Sequence, residues 1–353
     1  MSCFLSVCAI PFCPMTFHLG AALAMVRERA RSQGGRVLLL PHDNPDPDSL
    51  AAALGMSRLL QREGLDCTIA MAGIIGRAEN RAFVRELKFD LKPLENLDLA
   101  TFGVVALLDT QPGTGNNSLP ASRLPDIVID HHPLRPLSQQ VPWCDIRPDF
   151  GGSCTIVWAY LKEAGIPWTP DLATAFLYGI KTETRDLGRE CGPHERQAYL
   201  ELQALADHAK LYNITNPKLS REHFVALDRA CRMAICWGEL VAVNLGSVRY
   251  PDPVAEIAEL MLAYDKARYC VCVGEHEGQV FLSIRSEVED AHAGELIRRV
   301  VGSKGAAGGH GMSAGGRLHQ PVRGEADLKT TYDELVARMV AELSITQPPS
   351  PLL

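Results

Sequence analysis

The chain has 353 residues, of which 46% are apolar and 22% charged, and its formal net charge is −7. That length suits about two domains, each able to bury its own core. The acidic balance excludes a protein that coats long nucleic acid by bulk electrostatics, but not one that holds a small phosphorylated substrate with cations and a few Arg. Eleven cysteines occur without a C-x-x-C pair, so no structural zinc is expected and the thiols read as buried or incidental in a reducing compartment.

Residues 1–26 contain no Lys, Arg, Asp or Glu, but Pro11 and Pro14 break the apolar run and no basic region precedes it. Neither an export signal nor a membrane span is expected, and the cytoplasm is the expected location. Residues 1–17 read as a loose extension, with Met15 or Met25 as an alternative start.

A short helix is predicted at Leu19–Arg31, then a strand at Arg36–Pro41 that is apolar on both faces, as in a central parallel strand. A helix follows from Asp48, with Asp48 and Ser49 near its start. Strands at Cys67–Met71, Gly103–Leu108 and Asp126–Ile129 alternate with a helix around Glu79–Leu87. That alternation predicts a doubly wound parallel α/β domain over residues 18–212, with ligands at the carboxyl ends of its strands. Helices are expected from Ser153 to about Leu211, and the turn-prone Asn213–Ser220 reads as a linker, placed at 213–221. A smaller α/β domain over 222–345 is predicted from a helix at Glu222–Met233, strands at Leu240–Leu245, Tyr269–Val273 and Val280–Ile284, and a helix at Ala291–Val300. The Gly-rich segment Gly302–Gly316 completes this domain, and the Pro-rich residues 346–353 read as a disordered tail.

Three clusters of hard ligands follow three of these strands. His42, Asp46 and Asp48 lie in a loop stiffened by Pro45 and Pro47; Asp109 follows Val104–Leu108; and Asp130, His131 and His132 follow Ile127–Ile129. Capping explains one Asp-rich loop, but not three clusters converging on one crevice, where unpaired carboxylates would repel unless divalent cations joined them.

In order, HDNPDPDS, LLDT, DHHP and GGHGMSAGG resemble the motifs of the DHH phosphoesterases, in the RecJ-related branch of nanoRNases and pAp phosphatases, over about residues 35–320. The resemblance implies a DHH catalytic domain with two divalent ions, Mn²⁺ foremost and Mg²⁺ or Co²⁺ as alternatives, followed by a DHH-associated substrate domain. It implies that His42 and Asp46 bind one ion, Asp48 and His131 the other, with Asp109 bridging, His132 facing the phosphate and Asp130 orienting the imidazoles. Tyr178–Thr184 resembles the fourth motif, except that Glu183 stands where an Asp ligand is usual, with Asp186 as a possible assistant. In the second domain Arg285, Ser286, Gly308, Gly309 and His310 match the family's phosphate-binding residues.

The implied substrates are short RNA or DNA oligonucleotides or 3′,5′-bisphosphonucleosides. The alternatives are a cyclic or linear dinucleotide phosphodiesterase, or a nucleotide-binding module weakened by Glu183. No membrane partner is expected, and a homodimer is implied by resemblance alone. His194, His208 and His223 read as surface residues, Asp145 and Asp149 as turn residues, and Trp143, Trp158, Trp168 and Trp237 as too scattered for base stacking.

Overall fold

A computed structural model of the chain describes residues 18–31, 34–288 and 290–353; the side chain of His310, and the expected extension 1–17, lie outside the described residues. These residues form two compact units, the first ending at Asn216 and the second running from Pro217 to Leu353 and taking in Gly76–Ala78.

The first unit contains α1 (Leu19–Arg31), β1 (Arg36–Pro41), α2 (Pro47–Arg62), β2 (Asp66–Met71), α3 (Ala78–Glu86), β3 (Leu91–Pro93), β4 (Val104–Leu108), β5 (Ile127–Asp130) and β6 (Trp143–Ile146). It then runs through α4 (Ser153–Glu163), α5 (Pro170–Glu183), α6 (Pro193–Gln203) and α7 (His208–Thr215). Its six strands are all parallel, in the order β3-β2-β1-β4-β5-β6. The order reverses between β1 and β4, which opens a crevice beyond their carboxyl ends. Apolar side chains bury both faces: Val37, Leu39, Val104, Ala106 and Ile129 face one core, and Leu38, Leu40, Val105, Leu107 and Val128 the other. This double burial explains why these strands read as unbroken apolar runs.

The second unit contains α8 (Arg221–Met233), β7 (Ile235–Trp237), β8 (Leu240–Ser247), α9 (Asp252–Met261), β9 (Tyr269–His276), β10 (Gln279–Ser286), α10 (Ala293–Val301), β11 (Gly305–His310), β12 (Ser313–Leu318), α11 (Glu325–Glu342) and β13 (Ser350–Pro351). Its mixed sheet has the order β11-β12-β10-β9-β8-β7-β13, with β8 and β9 parallel and the other pairs antiparallel.

The two halves of the Gly-rich segment pair from Gly305↔Leu318 to His310↔Ser313, held by ladder bonds that glycine can make as well as any residue. Three readings change. The tail is ordered by pairing, as Ser350 and Pro351 lie against Cys236 and Ile235, and the Leu352 N–H bonds Ala234 O at 3.0 Å. Asp145 is a buried strand residue rather than a turn residue, its carboxylate held by Arg147 at 2.7 Å and by the Tyr160 hydroxyl. Asn213–Thr215, expected in the linker, complete α7. Helices α9 and α11 carry apolar stripes that the sequence reading did not use. Among the described residues all eight cysteines are free, and no helix is long and apolar enough to cross a membrane.

Candidate active site

Each cluster starts where a buried strand stops. β1 ends at Pro41, and the loop to α2 places His42 and Asp46; Asp46 is also the N-cap of α2, its carboxylate accepting the Ser49 N–H at 2.9 Å. Pro47 at the first helical position stops the chain from wandering before the helix begins. β4 ends at Leu108, and Asp109 then adopts a left-handed backbone, φ 58°, which Asp tolerates better than most residues. β5 ends in Asp130, followed directly by His131 and His132.

Side chains from all three loops converge. His42 Nε2 lies 3.6 Å from Asp46 Oδ1 and 3.6 Å from Asp109 Oδ2. On the other oxygen of Asp109, His131 Nε2 is 3.5 Å away and His132 Nδ1 3.8 Å away. Two donor groups result, His42–Asp46–Asp109 and Asp109–His131–His132, with Asp109 common to both and the donor atoms of each within 4.8 Å of one another.

The imidazoles are set for different tasks. His42 Nδ1 lies 2.8 Å from Asp43 O and His131 Nδ1 3.3 Å from Phe150 O. Donating Nδ1–H to a carbonyl leaves each Nε2 lone pair for a cation. His132 is turned the other way: its Nδ1–H donates to Asp130 Oδ1 at 2.8 Å, so Nε2 is the outward nitrogen. Its side chain is 37% exposed against 8% for His131, which makes it the open side of the cluster.

The electrostatics are those of a cation site. Burial, with the neighbouring Asp109, pushes the Asp48 carboxyl up to about 7. Burial raises Asp109 to about 6 and, together with Asp46 and Asp48, raises Glu183 to about 7. Burial alone would lower His42 and His132, but the carboxylates outweigh it and hold them at about 10 and about 9. Buried carboxyls lifted by one another, beside imidazoles held protonated, take up divalent cations by releasing protons. The donor set of imidazole nitrogens and carboxylate oxygens fits Mn²⁺ or a similar ion.

Not every expected ligand joins the cluster in the same way. Asp48 is fully buried, and its oxygens accept the N–H groups of Ser153 and Cys154 at the start of α4, at 2.8 and 2.9 Å. It feels Asp109 and His131 electrostatically from that position. Glu183 ends α5 and shares the field of Asp46, Asp48 and His131. Asp186 lies in a left-handed turn with Arg185 and Leu187, its carboxylate engaged by Lys181 and by the Tyr199 hydroxyl at 3.1 Å, outside both donor groups.

In the second unit the guanidinium of Arg285 is braced by Ser283 Oγ at 2.7 Å and by Ile284 O and Ala314 O at 3.0 and 3.3 Å. The Ser286 hydroxyl is occupied, donating to Arg268 O and accepting the Val288 N–H. Gly308 and Gly309 lie in β11, and His310 ends it with its side chain outside the described residues. His194 stacks on Phe150 at 4.4 Å and His223 is half-buried against Glu256, while Trp143 and Trp158 are core residues.

A supporting layer, nearly silent in the sequence, lies behind the ligands. Gln111, fully buried, donates to Asp130 Oδ2 at 2.7 Å, while its Oε1 accepts the Arg135 N–H and the Ser138 hydroxyl. Ser153 Oγ donates to Asp109 Oδ1 at 2.8 Å. Gly152 leaves room for Asp48, since a Cβ there would stand 2.8 Å from Asp48 Oδ1. The Gly151-Gly152-Ser153 run at a helix start was the one available signal.

Comparison with known proteins agrees with this geometry. Residues 36–180 match the family model described as the DHH family, N-terminal domain. The chain is 29% identical over 314 residues to an uncharacterized protein of Methanocaldococcus jannaschii, covering 87% of this chain and 64% of that protein. It is 34% identical over 148 residues to a probable manganese-dependent inorganic pyrophosphatase of Deinococcus radiodurans, covering 40% of this chain and 45% of that one. The chain thus spans less than two thirds of either curated relative. Among solved structures, an exopolyphosphatase-related protein from Bacteroides fragilis superposes with a TM-score of 0.69 at 13% identity, covering 92% of this chain and 98% of that one. RecJ from Thermus thermophilus, in complex with Mn²⁺, superposes at 0.51 with 15% identity, covering 94% of this chain and 55% of that one. The parallel sheet and the ligand clusters at its switch point fall within residues 36–180, and this part of the chain is a domain of the DHH family.

Proposed function

We propose that the chain is a divalent-cation-dependent phosphoesterase acting on short oligonucleotides or 3′,5′-bisphosphonucleosides. The convergence of His42, Asp46, Asp109, His131 and His132 at one sheet edge carries this reading. His42 and Asp46 would hold one cation, His131 with Asp48 a second, and Asp109 both, with Glu183 completing the set. Bound cations would neutralise phosphate charge and activate a water for in-line attack.

The chain's own residues do the rest. Asp130 keeps the proton of His132 on Nδ1 and stabilises the imidazolium, and Gln111 holds Asp130 from behind. With Nδ1 given to Asp130, Nε2 of His132 is the nitrogen turned outward, placed to meet a phosphate oxygen as charge builds. In the second unit Arg285 would hold a terminal phosphate with its planar fork, and Ser286 would fix the strand end that carries it.

The test is a substrate panel with Mn²⁺: a labelled linear dinucleotide, pAp, a cyclic dinucleotide and pyrophosphate. Turnover of the first two with the others spared is the expected result. Preferred pyrophosphate hydrolysis would transfer the reading to the activity named for the Deinococcus relative. Tight binding without turnover would favour a nucleotide-binding module.

A further inference from the structure

The second unit holds a cavity of about 420 Å³ between one face of α8 and the turn after β8. Arg221, Val225 and Arg229 reach it from α8, each four residues beyond the last and so on one helix face. Arg249 and Tyr250 reach it from the turn, over a floor that includes Leu245. Three guanidinium groups therefore share the cavity with one lining acid, Glu222.

The pairing does not cancel that excess. Glu222 accepts from Arg249 at 3.1 Å, and Arg229 reaches Glu325, whose side chain is 81% exposed, at 3.2 Å. Arg221 makes no ion pair among the described residues. Gly246 shows that the position of Arg229 is built in: its φ is +66°, and a Cβ there would stand 2.3 Å from the guanidinium carbon. The guanidinium lies against bare backbone that only glycine provides.

Convergent guanidinium groups are suited to phosphate oxygens, and an apolar floor with a Tyr ring is suited to a planar body. The volume lies within the range of about 300–1,000 Å³ typical of small-ligand sites. We propose that this cavity is a binding site for a phosphomonoester with a planar body, of the nucleoside monophosphate class. It uses none of Arg285, Ser286 or the β11–β12 hairpin. The nucleotide identity of the occupant rests on the phosphoesterase reading, whose product it would be; the anion site does not.

Calorimetric titration of the EDTA-treated full chain with 5′-AMP, and separately with inorganic phosphate, tests it. Saturable AMP binding is expected, weakened at least about tenfold in the Arg221→Ala/Arg249→Ala double variant and unchanged in Arg31→Ala, an exposed guanidinium outside both sites. The Arg221→Lys/Arg249→Lys variant, which keeps the charge but loses the planar forks, should fall between, with circular dichroism checking that each variant folds. Absence of saturable binding, binding that survives the double Ala variant, or loss in Arg31→Ala would overturn the site. Equal affinity for inorganic phosphate would overturn the planar body. Failure of the Mn²⁺ substrate panel would leave this result standing, so the two readings fail separately.

Discussion

Freed of cations, the first unit should lose stability as pH rises from about 5 to about 8, and Mn²⁺ should reverse the trend. In the folded chain Asp48 stands at about 7, Asp109 at about 6 and Glu183 at about 7, each above its ordinary value because burial penalises the charged form. An acid raised on folding contributes stability that is complete below its unfolded pKa, near 4, and is lost as pH rises through the folded value. His42 at about 10 and His132 at about 9 continue the same slope above about pH 6.5. Asp46 and Asp130 are held low, and their contribution is lost only as pH falls below about 4, outside the window. One pKa unit is worth about 1.4 kcal/mol, but three coupled carboxyls share their penalty, so the change is on the order of 2–4 kcal/mol. For a unit of this size that is a fall in Tm of roughly 5–15 °C. Scanning calorimetry at pH 5, 6.5 and 8, with EDTA or excess Mn²⁺, measures it; the Mn²⁺-induced rise in Tm should grow with pH. Asp109→Asn should abolish most of that rise, and Asn accepts the left-handed backbone, so the variant isolates the charge. A Mn²⁺ effect as large at pH 5 as at pH 8, or one that Asp109→Asn leaves intact, would refute the reasoning.

Gly152→Ala sets a methyl group against the Asp48 carboxylate and should cost about 1–3 kcal/mol in urea unfolding, with weaker Mn²⁺ binding by calorimetry. Gln111→Leu strips partners from Asp130, Arg135 N–H and Ser138; kcat should fall at least about tenfold with KM nearly unchanged, because His132 loses its orientation rather than its contact with substrate. Glu183→Gln should weaken Mn²⁺ binding about tenfold or more, while Glu183→Asp keeps it, as read by the metal content of the dialysed protein. Burial pushes the Cys67 thiol up to about 12 and holds Cys154 well above the usual thiol range, so a thiol reagent at pH 8 should reach neither until the chain is unfolded.

The fold of the first unit was legible because both faces of its strands are buried, which writes unbroken apolar runs such as Val37–Leu40 and Val104–Leu108. Short strands at the sheet margins, β3 and β6, carry too few residues to show a pattern. In the site, Asp and His announced themselves by type and by following a strand. Gln111 and Ser153 did not, since a buried amide or hydroxyl has meaning only through partners 19 to 44 residues distant. The Gly-rich hairpin was not legible for a related reason: glycine has no side chain to alternate, so a ladder of Gly305–His310 with Ser313–Leu318 leaves no period in the sequence.

The last residues of the chain bear on how the protein keeps company with itself. β7 would otherwise present a row of open donors and acceptors at the margin of the second sheet, and β13 covers it. Pro348, Pro349 and Pro351 have no N–H to offer outward, so the segment that closes the ladder cannot start another one. A chain shortened before Gln347 would bare that margin, and adhesion between copies, strand to strand, is the consequence.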